Sequence, residues 1–489
     1  MYKATSKRKK RAQLAFIYTL MSVSIVSIVA ILVLIMLGYR FNRFDGRVEQ
    51  GGLVQFDSRP SGATVNVDGA TLANKTASKI TLTTGHHTVT ISRDGYNDWQ
   101  KDVEVKAGSV LWLNYALLFP KQPATSTISD LPAVSSVLAS PDRKYVALVS
   151  APADPNITVI PVNDDAPQIA KVAIAPATFT APDADKPQSF ALMAWDKDSR
   201  HGIVKHTYND GKTEYLWIDL RGQDAQRNIT TSLGVDIAYG EFSLDDSNIM
   251  YVLTTNHELR RINIPNGTLS GPLVANVASF TQADRSTVTF TTLPDQTQRR
   301  SVGYLTNGSS VPRIMRSTTD PESVPFSMSI AKYYGDQFMV FLKGQSVEIM
   351  KGDISASESN TLPSLASIAK FDTAAPVSSL VFSPYDKRFV AAEYAGGVAV
   401  YDLELGKLST ASFATAQTRP LDWLSPYHFA TTAGGTYMYY DFDGTNGQTV
   451  AIHALDLPVT LSENGKYSYH FAAGEGTAVK VIRTKMTTD

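Results

Sequence analysis

The chain has 489 residues, 45 Lys and Arg against 46 Asp and Glu, and no cysteine. Lack of cysteine excludes disulfides, thiolate metal sites and a cysteine nucleophile, so any exported part is held by its own cores. The net charge of −1 conceals an asymmetry: residues 1–47 carry nine bases and one acid, leaving 36 bases against 45 acids, a net of −9, in the remainder. A mildly acidic body argues against nucleic acid as the partner, because neutralising phosphates takes clustered Lys and Arg.

Between Leu14 and Leu37 no charged residue interrupts a run of Leu, Ile, Val, Met and Ala with a few Ser and Thr. As a helix the run reaches ~36 Å, enough to cross a hydrocarbon core of ~30 Å with its backbone polar groups satisfied internally. A cleaved signal peptide has a shorter apolar region and small residues before the cut, whereas this run ends Met36-Leu37-Gly38-Tyr39. The reading is an uncleaved signal anchor. Six bases precede it (Lys3, Lys7, Arg8, Lys9, Lys10, Arg11) against Arg40, Arg43 and Arg47 after it, which places the N-terminus in the cytoplasm and the bulk of the chain outside.

Beyond the anchor, apolar and polar residues alternate in short runs broken by Gly and Pro, the pattern of β-strands. Asp68-Gly69 after Val65-Asn66-Val67 is a two-residue hairpin signal, and Pro60-Ser61-Gly62-Ala63 a tight turn. With Gly85 before a strand and Asp94-Gly95-Tyr96 near the end, the stretch from Leu53 to Leu118 resembles the PEGA domain. Ser61 stands where the family has Glu, and Lys75-Thr76-Ala77 where it has a G-x-T-P segment. The resemblance implies a small β-sandwich acting as a surface interaction or spacer unit, without catalysis. His86 and His87 are adjacent in a predicted strand and so point to opposite faces, which gives them structural roles rather than a shared metal.

After a linker containing Pro120 and Pro123, a unit of short strand, polar turn, second strand and aromatic-rich third strand recurs eight times. Its turns read SPDRK at 140, DKDSR at 196, SPYDK at 383 and SENGK at 462, among others. About 45 residues per unit is the span of one four-stranded propeller blade. The S-P-D-x-K turns resemble the repeats of TolB-like and WD-repeat-like propellers. The fold class expected is therefore an all-β ectodomain, a PEGA-type sandwich followed by an eight-bladed β-propeller, with seven blades as the alternative, behind one transmembrane helix. The eighth unit has three strands, and residues 126–131 are expected to supply its fourth, while the last residues from Met486 onward are expected to matter little. The domains are then a basic tail over 1–13, the anchor over 14–38, a juxtamembrane linker over 39–52, the PEGA-like domain over 53–118, a linker over 119–125 and the propeller over 126–489.

No catalytic signature is present. Ser329-Ile330-Ala331-Lys332 and Ser367-Ile368-Ala369-Lys370 match S-x-x-K, but fall in predicted strands, where Ser and Lys do not share a helix face. Asp441 to Gly447 lacks the closing Glu of a calcium loop and reads as a hairpin turn. No catalytic residue, metal ligand or cofactor is assigned. The binding candidates are Trp195, Glu241 and Lys332 near innermost strands, and Asp320 and Glu322 on the loop over 318–325; the other long connection between units covers 175–187. The expectation is a single-pass cell-envelope protein of a bacterial surface, displaying a non-enzymatic propeller head on a PEGA spacer, with a surface protein or glycan as ligand. The alternative is an envelope glycan hydrolase or lyase with scattered carboxylates, two of them ~5–9.5 Å apart. Oligomeric state and ligand identity are not readable from these residues.

Overall fold

The computed structural model describes residues 7–36, 39–42, 47–222, 225–307, 309, 311–354 and 363–487. The chain divides into two compact units, residues 1–122 and 123–489.

In the first unit a helix runs over Lys7–Met36, starting earlier than the apolar run because the basic residues Lys7–Arg11 propagate helix as readily as Leu. Its stretch Arg11–Ile35 is long and apolar enough to cross a membrane, a property shared by membrane anchors and signal sequences. The expected linker over 39–52 is instead largely a hairpin, Tyr39–Asn42 pairing antiparallel with Arg47–Gln50; residues 37, 38 and 43–46 lie outside the described residues.

The module that follows has two sheets. Strand Gly52–Arg59 sits between Ser78–Leu82 and Val110–Leu117, the latter parallel to it. Thr64–Val67 sits between Ala70–Thr71 and Gly85–Ser92, which in turn pairs with Trp99–Val105. Alternation puts Val54, Phe56, Val65, Val67, Val89 and Ile91 inward from the two sheets to make one core. The hairpin turn is as expected: Val67 pairs with Ala70 across Asp68 (φ 51°) and Gly69 (φ 84°), the two positive φ values of a type I′ turn. His87 packs beside this turn, its Nδ1 at 2.6 Å from Asp68 Oδ2 and its Nε2 at 2.8 Å from the Thr83 carbonyl. Both partners are acceptors, so the pair of contacts is complete when the ring carries both protons. Burial opposes that charge, but the Asp68 carboxylate and the Thr83 carbonyl outweigh it and raise the His87 pKa. His86, exposed, points the other way.

The second unit contains, among the described residues, eight four-stranded antiparallel sheets laid down in chain order. The first covers residues 136–173, the second 188–228, the third 237–269, the fourth 277–318, the fifth 326–372, the sixth 377–412 and the seventh 422–452. The eighth takes Thr460–Leu461, Tyr467–Ala473 and Val479–Lys485 from the end of the chain and Thr125–Leu131 from its start. Thr125–Leu131 pairs with Val479–Lys485, with Ile128 bulged out of register, so the expected closing strand is formed. Each sheet buries both faces. Val149 and Ile157 of the first pack on Phe190 and Leu216 of the second; Ile203 of the second on Phe242 and Val252 of the third; Leu253 of the third on Phe290 of the fourth. Val302 of the fourth meets Met328 of the fifth, and Phe338 of the fifth meets Val390 of the sixth. Phe389 of the sixth stacks at 4.0 Å on Phe442 just after the seventh sheet's third strand, and Tyr437 of the seventh bonds Ser468 of the eighth at 2.7 Å. Finally Leu131, Tyr469 and Phe471 of the eighth share a core with Val146, Leu148 and Ile160 of the first. Sheet therefore follows sheet around a propeller-like circle.

The recurrent turn has a physical reason. Ser140, Ser383 and Ser462 are buried, and each hydroxyl accepts the N–H that opens the next strand, from Tyr145 at 3.0 Å, Phe389 at 3.1 Å and Tyr467 at 2.9 Å. Asp196 does the same for His201 at 3.1 Å. A side-chain oxygen thus replaces the water a buried N–H would otherwise need. The turn of the first sheet also spans the circle's mouth: Arg143 donates to the Leu424 carbonyl of the seventh sheet at 2.7 Å, and Tyr385 of the turn in the sixth donates to the Pro141 carbonyl at 3.4 Å. The seam between first and eighth sheets is sealed by Asp165, which receives Lys466 at 2.5 Å and the Tyr467 hydroxyl. One expectation is corrected here. Met486 is buried, and its N–H bonds the Lys466 carbonyl at 2.8 Å, so the chain end does matter as far as residue 486.

Two stability predictions follow from these contacts. An added Cβ at Gly69 meets nothing within 4 Å, so Gly69→Val costs backbone strain alone, about 1 kcal/mol or more, read from the melting of residues 48–120. An unchanged melting temperature would refute the turn. Leu131→Ala removes a side chain only 6% exposed from the core joining the first and eighth sheets, with an expected loss of about 2–5 kcal/mol in denaturant unfolding; Ser126→Ala, on the exposed start of the same strand, should change little.

Candidate functional site

Trp195, Glu241 and Lys332 each lie in the last two residues of the first strand of their sheet, Gln188–Trp195, Ile237–Phe242 and Phe326–Tyr333. Because every sheet repeats the same up-and-down order, all three stand on the side of the recurrent turns. They do not meet in one cavity. Glu241 accepts from the Tyr239 hydroxyl at 2.7 Å and from the Gln282 N–H at 3.4 Å; burial raises its pKa against those bonds. Lys332 is exposed and borders an open cleft of about 420 Å³ with Asp336, Gln337 and Lys351, the last paired to Asp336 at 2.7 Å. Both S-x-x-K matches are in strands, Phe326–Tyr333 and Leu365–Asp372.

Asp320 and Glu322 belong to the connection between the fourth and fifth sheets, on the opposite side. Asp320 is held by the Thr318 hydroxyl and by Lys343, both at 2.8 Å, which lower its pKa. Arg300 ties the same loop through the Pro321 and Val324 carbonyls at 2.8 and 3.0 Å, while Glu322 is exposed. The long connection over 175–187 is likewise pinned down. Glu214 accepts the Thr180 N–H and hydroxyl at 2.7 and 2.8 Å, and Asn209 and Asp210 hold Asp183 and Lys186. Glu214 in turn bonds buried His206 at 2.8 Å, so this carboxylate serves the loop's anchorage.

Trp195 contributes to a cleft of about 140 Å³ between the first and second sheets, with Tyr145, Pro161, Leu220, Ser199 and Arg221. The indole N–H donates to the Leu138 carbonyl at 3.2 Å, fixing the ring, and the Arg221 guanidinium stands 5.8 Å from the Tyr145 ring centroid. Its walls are aromatic and aliphatic, and its polar residues are Arg221, Ser199, Tyr145 and Gln168. Two rings and a guanidinium offer flat faces on which a ring could stack, and none of the lining residues is a carboxylate. Tyr145 and Arg221 carry no sequence signal, since each follows an ordinary repeat turn or strand and they meet only when two sheets pack.

A second cluster lies on the connections among the sixth, seventh and eighth sheets. Arg419 grips both oxygens of Asp422 at 2.9 and 2.6 Å, reaches Asp456 at 3.1 Å, and donates to the Leu457 carbonyl at 2.8 Å. Burial pushes the Asp422 carboxyl up against the pull of Arg419. Glu393 beneath it, 3% exposed, accepts the Leu421 N–H at 2.9 Å, and burial pushes its pKa up to about 7. Among the described residues no group of three His, Asp or Glu side chains is placed to hold a metal ion.

Glu393 makes stability depend on pH. Its folded pKa, about 7, exceeds the ordinary 4.5, so its proton favours the folded state fully below pH 4.5, and that advantage disappears as pH rises to about 7. His470, lowered to about 4 by burial, acts oppositely, losing stability as pH falls from 6.5. The comparison of Glu393→Gln with the parent isolates the first effect: the variant's relative stability should grow between pH 5 and 8 by on the order of 3 kcal/mol in denaturant unfolding. A pH-independent difference would show that Glu393 stays ionised.

No curated protein matches the chain. Among solved structures it is similar to an oligogalacturonate lyase in complex with manganese (10% identity, 63% of this chain and 96% of that one, TM-score 0.42). It is also similar to the Cps50 (Swd1) β-propeller domain of Myceliophteria thermophila (8% identity, 75% and 100%, TM-score 0.41) and to apo AztD from Citrobacter koseri (13% identity, 75% and 92%, TM-score 0.38). Residues 52–118 match the PEGA domain, so the sandwich module at the head of the β region is a PEGA domain.

Proposed function

We propose that the chain is a single-pass cell-envelope protein, anchored by its N-terminal helix with the N-terminus in the cytoplasm. The PEGA domain is its spacer, and the eight sheets are the blades of a propeller that acts as a non-enzymatic binding head for a surface glycan or protein. The observation that carries the binding role is the cleft of Tyr145, Trp195 and Arg221: a fixed indole, a second ring and a guanidinium suit a sugar ring or an aromatic side chain. Among the polar candidates elsewhere, Asp320 is committed to its loop and to Lys343, and Glu241 to Tyr239 and Gln282. One observation favours the rival, a glycan hydrolase or lyase: Glu393 has a pKa near that of a general acid. It is buried against the Leu421 N–H, which suits a structural carboxyl better.

The test is binding of residues 50–489 to a panel of envelope polysaccharides and to envelope extract. Trp195→Ala and Arg221→Ala should each weaken capture about tenfold or more, with no new reducing ends or unsaturated products released. Capture indifferent to both substitutions would remove the cleft as the site. Turnover abolished by Glu393→Gln would establish the rival.

A further inference from the structure

The PEGA domain carries an apolar pair that its own fold leaves uncovered. Val110 and Trp112 are 45% and 41% exposed. Two residues apart in strand Val110–Leu117, they point from the same face. That strand ends its three-stranded sheet, and among the described residues no strand pairs with its other edge.

The chain's path says where this pair lies. The hairpin pairs Gln50 with Tyr39, three residues after the helix ends at Met36. Summing those steps, Gly52, where the domain's first strand begins, is at most about 24 Å from the helix end. The turn before the exposed strand meets the domain there: Gly108 N–H bonds the Gly51 carbonyl at 3.0 Å, and Leu53 N–H bonds Ser109 at 2.9 Å. Parallel pairing then sets Val110 beside Leu53 and Trp112 beside Gln55. Val110 and Trp112 are therefore at the end of the domain nearest the helix, with exposed Lys106 in the adjoining turn.

We propose that this edge is a lipid-contact surface, with Val110 and Trp112 seated in the headgroup layer of the bilayer that holds the helix. The proposal rests on the anchored reading above. An indole is suited to that layer, whose water satisfies the unpaired edge of the strand, and exposed Lys106 suits anionic headgroups. A second copy of the chain is the competing occupant; the closeness of the edge to the helix end favours the bilayer.

The test uses the full chain in vesicles of phosphatidylcholine and phosphatidylglycerol whose acyl chains are brominated near the headgroup. Tryptophan emission should be quenched, and Trp112→Phe should abolish that quenching, leaving the signal of Trp99, Trp195, Trp217 and Trp423. Adding Tyr18→Trp to the Trp112→Phe chain reports on the helix itself. Quenching of the Tyr18→Trp probe without quenching at Trp112 overturns the lipid-contact surface and leaves the anchor intact. Failure of both probes overturns the anchored reading. With no native cysteine, Val110→Cys gives a unique thiol; rapid disulfide dimers between copies, with Trp112 unquenched, would assign the edge to a second copy instead.

Discussion

The second unit depends on one constraint: a row of sheets has two ends, and each end face and edge left open exposes apolar surface and unpaired backbone groups. Here both ends are removed by a single exchange. Thr125–Leu131, from the start of the unit, completes the sheet made by the last strands, and Leu131 with Tyr469 and Phe471 then packs on the first sheet. The Asp165 contacts to Lys466 and Tyr467 seal that junction at one side, and the Arg143 bond to Leu424 braces the mouth. Every other sheet is held by two neighbours in the same way, so no stronger local interaction is required.

Polar residues follow from the same economy. Inside a stack of sheets an N–H without a partner costs about as much as a lost hydrogen bond. Ser140, Ser383 and Ser462 answer this at the recurrent turns, and Glu214 answers it for the long connection over 175–187. Arg419, Asp422 and Asp456 join three consecutive sheets through their connections. Titratable groups with displaced pKa values, such as Glu393 and His470, are products of this burial.

What was legible in the residues is what local chemistry dictates. Asp68-Gly69 announces its turn because few other pairs accept two positive φ angles, and Ser-Pro-Asp announces its turn because Pro and a short hydroxyl pre-form it. The spare strand before the first unit was legible by counting strands against edges. The hairpin of Tyr39–Asn42 with Arg47–Gln50 was not, since only four residues a side pair, too few to set up a periodic pattern. The Tyr145–Trp195–Arg221 cleft and the Arg419 cluster were also invisible, because their members are brought together by sheet packing and carry no spacing of their own. Trp195 was identified among the candidates as a residue near an innermost strand; the cleft it shares with Tyr145, Pro161 and Arg221 exists only between packed sheets.

The closing sheet is also where the chain from the first unit enters the second, since Thr125 follows the boundary at residue 122 by only three positions. Any tension between the first unit and the second is therefore delivered to the strand Thr125–Leu131 before it reaches any other sheet. Its backbone bonds to Val479–Lys485, and the side chain of Leu131 behind them, are the bolt on which mechanical load falls first. Under pulling, the ring would open at its own clasp, with the other seven sheets still stacked.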